Sequence, residues 1–250
     1  MKHDVIRAGN PEQDLTIVAL HGIQGTRSSW LPVERNLHDD ARWILPNLRG
    51  RAAAWRGASI DDYSLDAYAA EVCAIIAQYV DTPNFVLAGW SMGVSVTLAT
   101  WAQLKQGNLP LPKALILMSG SPVLQQVRWF RQTNHTSLIE EIAAREERLR
   151  LQVAADRDAV AWTWRSISQT DQRHLLPHIQ LPTLIVHGSD DEDSPFSHAQ
   201  MLAAGIRGAR LECIPHGYHS ILTQDAPQVA KTMRAFLSTL PQTGALHATQ

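Results

Sequence analysis

The 250-residue sequence lacks the features that mark several large classes of protein. Its formal net charge is −2, so it has no basic excess with which to neutralise nucleic-acid phosphates. Two cysteines, Cys73 and Cys213, are too few for a disulfide framework and favour a reducing compartment. No stretch approaches the roughly 20 apolar residues of a membrane span, and residues 1–7 contain no apolar signal segment. These absences predict a cytoplasmic protein without a membrane or nucleic-acid partner.

Phenylalanine and tyrosine are also scarce, with four of each against eight tryptophans. Tryptophan buries a large area, but its ring N–H needs a hydrogen-bond partner. Two interpretations stay open at this point: the tryptophans belong to the core, or some of them line an apolar pocket.

Short apolar runs alternate with helical patterns along most of the chain. The apolar runs are residues 15–20, 42–46, 84–88, 114–118, 183–186 and 210–214. The helical patterns, with apolar residues three and four apart, cover 65–79, 94–104 and 224–240. This alternation predicts an α/β fold with a mostly parallel central sheet and helices on both faces. Ligands bind such sheets at the carboxyl ends of the strands.

The motif Gly-Trp-Ser-Met-Gly at residues 89–93 follows one predicted strand and opens a helix. This is the context that the G-x-S-x-G nucleophile motif requires. A β-carbon on Gly89 or Gly93 would clash with the sharp turn that exposes the Ser91 hydroxyl. Ser91 is therefore the candidate nucleophile.

With this motif in place, residues 15–240 resemble the α/β-hydrolase family. The resemblance implies that the backbone amides of Ile23 and Met92 form the oxyanion hole, and that His21 is structural. The turn that begins at Asn47 matches the family's D-x-R-G-x-G pattern only in part, because Asn47 and Ala52 replace its first Asp and last Gly.

The acid of the triad is sought after the strand at 183–186, where four carboxylates follow Gly188. The family pattern G-x-x-D-x-x-x-P selects Asp191, which lies three residues after Gly188 and four before Pro195. Asp190 remains the alternative.

The triad histidine must follow the acid, because the family's chain order is Ser, Asp, His. The loop after the last predicted strand contains His216 and His219. His219 lies eight residues before Pro227, close to the family's usual seven, so it is preferred to His216. A metal site on these two histidines lacks a third ligand at a suitable spacing.

These residues predict a serine hydrolase that cleaves a carboxylic ester through a Ser91–His219–Asp191 triad, with no metal or organic cofactor. Thioester, lactone or carbon–carbon bond hydrolysis and cofactor-free perhydrolysis are alternatives on the same fold. A non-catalytic binding protein is the alternative from another class.

Residues 121–180 break the strand–helix rhythm and contain a charged helical pattern at 139–153. The resemblance implies a helical cap here, inserted after the sixth strand of the family's sheet. The predicted division is therefore a core at 1–120 and 181–240, the cap at 121–180, and a flexible tail at 241–250. Five tryptophans fall in segments that border the site and are the candidates for lining a substrate pocket: Trp30, Trp90, Trp129, Trp162 and Trp164.

The predicted cap is also rich in arginine. One interpretation is a solvated helix held by ion pairs between residues three and four apart. The other is a docking face for an acidic carrier, because the elbow is similar to that of the pimeloyl-acyl carrier protein methyl ester esterases. The expected partner is thus a small-molecule ester or acyl compound, with an acyl carrier protein as the alternative.

Overall fold

The computed structural model describes residues 2–149, 151 and 153–241. The predicted tail lies outside these residues apart from Pro241. The strands are β1 (Asp4–Gly9), β2 (Thr16–Leu20), β3 (Arg42–Asn47), β4 (Phe85–Trp90), β5 (Ala114–Met118), β6 (Thr183–Gly188) and β7 (Arg210–Ile214). The α-helices are α1 (Leu31–Asn36), α2 (Leu65–Tyr79), α3 (Met92–Gln106), α4 (His135–Arg148), α5 (Arg157–Ile167), α6 (Phe196–Gly205), α7 (Ile221–Gln224) and α8 (Ala226–Leu237).

The strands form one sheet in the order β1-β3-β2-β4-β5-β6-β7. Strands β2 to β7 are mutually parallel where they pair, and β1 pairs antiparallel with β3. All six predicted strands are present, which confirms the α/β prediction. The edge strand β1 was not predicted, because none of its side chains is fully buried and its sequence has no continuous apolar run.

The two faces of the sheet carry separate hydrophobic cores. Side chains such as Val18 and Leu87 pack on one face with α2 and α3. Their strand neighbours, such as Ile17, point to the other face and pack with α1 and α8. This alternation follows from the two-residue period of a strand, and both cores are needed because the central strands are buried on both sides. No helix in the described part of the chain is long and apolar enough to cross a membrane.

The segment 121–180, called the insertion below, leaves the sheet after β5 and returns to it at β6. It contains α4, α5 and short 3-10 helices at Leu124–Gln126 and Arg173–His178. Helix α4 begins four residues before the predicted 139 and ends at Arg148. The earlier start is explained by the Asn134 side chain, which accepts hydrogen bonds from the amides of Thr136 and Ser137 and so caps the helix.

Candidate active site

Ser91 occupies a strained turn between β4 and α3. Its φ of 59° is unusual for a residue with a β-carbon, and its amide donates to the Met118 carbonyl at 2.9 Å. A β-carbon on Gly89 would lie 2.2 Å from the Gly93 carbonyl oxygen, and one on Gly93 would lie 2.3 Å from that of Leu20. The turn therefore requires glycine at both positions.

The imidazole of His219 lies between Ser91 and Asp191. Its Nε2 is 2.9 Å from the Ser91 hydroxyl, and its Nδ1 is 3.0 Å from each carboxylate oxygen of Asp191. Ser91 and Asp191 are buried, at 3% and 4% exposure. The structure therefore brings together the three residues that the sequence pattern selected, although they are separated by up to 128 positions.

Asp191 is held as a carboxylate. Burial by itself would raise the pKa of this carboxyl, but the neighbouring His219 and a hydrogen bond from the Ser194 amide at 2.8 Å outweigh it, so the pKa is lowered. His187 is a further buried neighbour, with its Nε2 3.4 Å from the second oxygen of Asp191. An ionised Asp191 is suited to orient His219 and to stabilise its protonated form.

The alternative residues lie together, and none of their described contacts is to Ser91. Asp190 accepts a hydrogen bond from the Ser189 hydroxyl at 2.6 Å and lies 3.5 Å from His216. The His216 side chain is 92% exposed. These two residues form a surface pair, while Asp191 and His219 face the elbow.

The Ile23 and Met92 amides have the freedom that an oxyanion hole needs. Met92 is the first residue of α3, where a helix leaves its N–H groups without partners. Within the described chain, neither the Ile23 amide nor the Met92 amide donates a hydrogen bond to a protein acceptor. Both can thus donate to an oxygen that develops negative charge.

A buried arginine that the sequence analysis did not select holds the Ile23 turn. Arg51 is fully buried, and its guanidinium donates to the Ile23 carbonyl at 2.5 Å and to the Tyr68 hydroxyl at 2.6 Å. Tyr68 in turn lies 2.7 Å from the Thr163 hydroxyl of α5. Arg51 therefore links the turn to α2 and to the insertion.

The neighbouring departures from the family pattern also have structural explanations. The Asn47 side chain accepts a hydrogen bond from the Arg27 backbone amide at 2.8 Å through its carbonyl and donates one to the Asp4 carboxylate at 2.9 Å through its NH₂ group. It therefore joins two segments by acting as an acceptor toward one and a donor toward the other. Ala52 adopts a φ of 46° at the position where the family has glycine. Such a conformation costs about 1 kcal/mol in a residue with a β-carbon.

His21 is enclosed behind the same turn. Its Nε2 accepts the Leu48 amide at 3.0 Å, and its Nδ1 donates to the Gly22 carbonyl at 2.9 Å. Burial, reinforced by the charge of Arg51, lowers the pKa of His21 to about 3. The ring is therefore neutral and has its hydrogen bonds within the protein, as a structural histidine should.

Acidification should destabilise the fold through His21. Between pH 6.5 and about 3 the unfolded chain binds a proton at this ring that the folded chain does not, so stability falls as pH falls. At about 1.4 kcal/mol per pH unit, the loss by pH 4 is about 3 kcal/mol. The free energy of unfolding is measured with urea at pH 7 and at pH 4. Its loss between these two pH values should be smaller by this amount in His21→Gln than in the wild type. The exposed-ring variant His216→Gln should keep the wild-type difference, and an unchanged difference in His21→Gln would contradict the assignment.

The five tryptophans assigned to a pocket have different surroundings. Trp30 belongs to the core: it is fully buried, donates to the Leu20 carbonyl at 3.0 Å and packs against Trp43 at the far face of the sheet. The 3-10 turn at Arg27–Trp30 directs it there, because this turn leads into α1. Trp90 donates to the His219 carbonyl at 3.0 Å, and its ring centroid lies 5.3 Å from that of the imidazole. Trp90 therefore supports His219 from the side.

The other three tryptophans belong to the insertion. Trp162 packs against Tyr63, while Trp164 packs against Trp129, so neighbours two apart on α5 point in different directions as expected. Trp129 lines the cleft beside His219, and its ring N–H donates to the Asp193 carbonyl at 3.0 Å.

The cleft beside His219 has a volume of about 730 Å³. Its lining is Arg128, Trp129, Arg131, Glu141, Ala144, Arg145, Arg148, Leu149, Glu192, Asp193, Tyr218, His219, Ser220 and Gln224. This cleft differs from the expected apolar, tryptophan-lined pocket, because seven of its fourteen lining residues are charged and Trp129 is the one of the five tryptophans among them.

Arg145 connects three parts of the site. Its guanidinium donates to the Gln24 side chain, directly after Ile23, and to Asp193 at 2.5 Å, two residues after Asp191. The Gln24 amide also donates to the Ile142 carbonyl of α4 at 3.0 Å. The i, i+4 and i+7 spacing of Glu141, Arg145 and Arg148 was the sequence signal that could have placed these residues on one face of α4.

Comparisons with known proteins agree with this fold. The model of the alpha/beta hydrolase family matches residues 17–232. The chain therefore belongs to the α/β-hydrolase family. It is 25% identical to a monoacylglycerol lipase, abhd6-A of Xenopus laevis, over 94% of this chain and 79% of that one.

Two further proteins are similar along most of their length. A putative non-heme chloroperoxidase of Synechocystis is 26% identical, with 94% of both chains covered. The solved structure of an esterase, EaEST from Exiguobacterium antarcticum, superposes with a TM-score of 0.79 at 21% identity, covering 95% of this chain and 96% of that one. At this identity the structural likeness supports the fold alone.

Proposed function

We propose that this α/β hydrolase cleaves carboxylic esters through Ser91, His219 and Asp191. The observation that carries the proposal is the imidazole of His219, which lies within 3.0 Å of the Ser91 hydroxyl on one side and of the Asp191 carboxylate on the other. This is the geometry of a nucleophile, its general base and the group that orients the base.

The proposed reaction has two halves. His219 takes the proton of Ser91 as the hydroxyl attacks the ester carbonyl, and the Ile23 and Met92 amides stabilise the negative charge on its oxygen. His219 then gives the proton to the departing alcohol, which leaves an acyl group on Ser91. Water activated by His219 releases the acid and regenerates Ser91.

In this proposal the insertion serves as a cap. It contacts the oxyanion turn through Gln24 and the acid loop through Asp193, so its position is coupled to both. A cover of this kind restricts water and shapes the substrate site.

A cofactor-free perhydrolase is the second candidate function, favoured by the similarity to the chloroperoxidase over 94% of both chains. The same acyl-Ser91 intermediate would then be attacked by hydrogen peroxide instead of water, which gives a peroxyacid.

Labelling and turnover should be measured on the same preparation. A fluorophosphonate is expected to add to Ser91, detectable by peptide mass, and to abolish hydrolysis of p-nitrophenyl acetate in proportion. Formation of the peroxyacid from acetate and hydrogen peroxide tests the second candidate function. Absence of an adduct on Ser91 together with absence of ester turnover would favour a non-catalytic binding protein instead.

A further inference from the structure

The cleft beside His219 is bordered by four guanidinium groups. Arg145 and Arg148 come from one face of α4, and Arg128 and Arg131 come from the segment that precedes it. Residues 218–220, which include His219, and Gln224 also line the cleft. A molecule in the cleft would thus contact both the proposed base and the arginines.

Most of the acidic groups in this cleft already have partners. Asp193 is paired with Arg145 at 2.5 Å, and that pair is mostly buried. Glu141 accepts the backbone amides of Arg131 and Gln132 at 2.9 to 3.0 Å. Of the three acids in the lining, Glu192 alone has no partner among the described contacts.

The remaining arginines are not used by the fold. Arg128, Arg131 and Arg148 are exposed, and none has a carboxylate within ion-pair distance among the residues that the structure describes. The expected lacing of α4 by pairs three and four apart is absent from its described length: Glu146 pairs with Arg157 of α5 instead. Burial lowers the pKa of Arg145, and the charge of Arg148 lowers it further, while Asp193 opposes the lowering. The effect of Arg148 is consistent with crowding of positive charge in the cleft.

We propose that this cleft binds a carboxylate carried by the ester substrate, so that the preferred substrates are esters with a free acid group. This inference rests on the proposed ester hydrolysis. Arginine is suited to the role because its planar guanidinium can donate two parallel hydrogen bonds to one carboxylate. The volume of about 730 Å³ is that of a small-molecule site rather than of a protein docking face.

The carboxylate could reside on either side of the scissile bond, and two matched pairs of substrates distinguish these sources. Monomethyl adipate against methyl hexanoate places the charge on the acyl side. 4-Acetoxybutanoate against butyl acetate places it on the alcohol side. Turnover is followed by proton release at constant pH, and the ratio of kcat/KM for the acid to that for its neutral partner is compared.

In at least one pair the wild type should prefer the acid about tenfold at low ionic strength, as a few solvent-screened attractions would give. The preference should fall toward one in Arg131→Gln/Arg148→Gln and in 0.5 M NaCl, which screens exposed charges. The control Arg7→Gln/Arg210→Gln removes the same two charges from exposed sites away from the cleft and should keep the wild-type ratio.

A ratio near one in both pairs, or a ratio that Arg131→Gln/Arg148→Gln leaves unchanged, would overturn the inference while leaving ester hydrolysis intact. Inhibition by an acidic carrier protein without a preference for the acid esters would also overturn it. Calorimetric binding of monomethyl adipate to Ser91→Ala protein measures the cleft separately from chemistry. If monomethyl adipate binds and Arg131→Gln/Arg148→Gln weakens that binding, the proposed carboxylate site would be supported even if hydrolysis failed.

Discussion

Ser91→Ala is expected to lower kcat for a short p-nitrophenyl ester by about 10⁶-fold, the size found when the nucleophile of a serine protease is removed. The hydroxyl is the atom that His219 Nε2 contacts at 2.9 Å, and alanine leaves nothing there to attack the carbonyl. The residual rate should come from the oxyanion donors and from binding, which do not depend on the hydroxyl.

The fold should survive this substitution. Alanine keeps the β-carbon that Ser91 already has, so the strained φ of 59° costs no more than before. Circular dichroism and the urea midpoint should therefore match the wild type within experimental error.

Ser95→Ala is the matched control, because Ser95 lies one turn further along α3, is fully buried and donates only a long hydrogen bond of 3.3 Å to the Ser121 carbonyl. It should retain ester turnover. A Ser91→Ala protein that hydrolyses the ester at the wild-type rate would contradict the role of Ser91.

The elements that could be predicted from the sequence are those with strong local signals. The central strands carry continuous apolar runs because both faces of the sheet are covered, and α2 spans the predicted 65–79 because its apolar spacing and its Ser64 cap agree. The turn that carries Ser91 could be predicted for the same reason, because the two glycines that it requires, Gly89 and Gly93, lie within five residues of sequence.

The residues that could not be predicted depend on contacts between distant segments. Arg51 contacts Ile23, 28 positions earlier, and Tyr68, 17 positions later, so no local pattern distinguishes it from a solvent-exposed arginine. Trp30 was assigned to the pocket by its position after the oxyanion turn. Which face of the sheet it reaches is decided by the direction in which the chain enters α1.

The roles of the arginines in the insertion could not be predicted for the same reason. Charge composition alone left two interpretations of its arginines open, because it does not tell which carboxylates are near. The structure pairs Arg145 with Asp193, 48 positions away, and leaves Arg128, Arg131 and Arg148 facing the cleft.

Asp191→Asn is expected to lower kcat by about 10³- to 10⁴-fold, on the scale of the corresponding change in a serine protease. Both carboxylate oxygens lie 3.0 Å from His219 Nδ1, and one of them also accepts the Ser194 amide at 2.8 Å. An asparagine has only one oxygen, so its NH₂ group must face a donor in either orientation. If it replaces the first oxygen it meets the Ser194 N–H, and if it replaces the second it lies near His187 Nε2, 3.4 Å away.

In either orientation the NH₂ group also lies about 3.0 Å from His219 Nδ1, and the ring can accept a hydrogen bond from it only by moving its proton from Nδ1 to Nε2. Nε2 must be free of a proton to accept one from Ser91. The variant therefore favours the wrong tautomer of the base and also lacks the charge that would stabilise its protonated form. Asp190→Asn is the matched control, since it makes the same change one residue away in a carboxylate that faces His216. Steady-state kinetics of both variants should show the loss in Asp191→Asn alone. An equal loss in Asp190→Asn, or none in either, would mean that the acid of the triad is assigned wrongly.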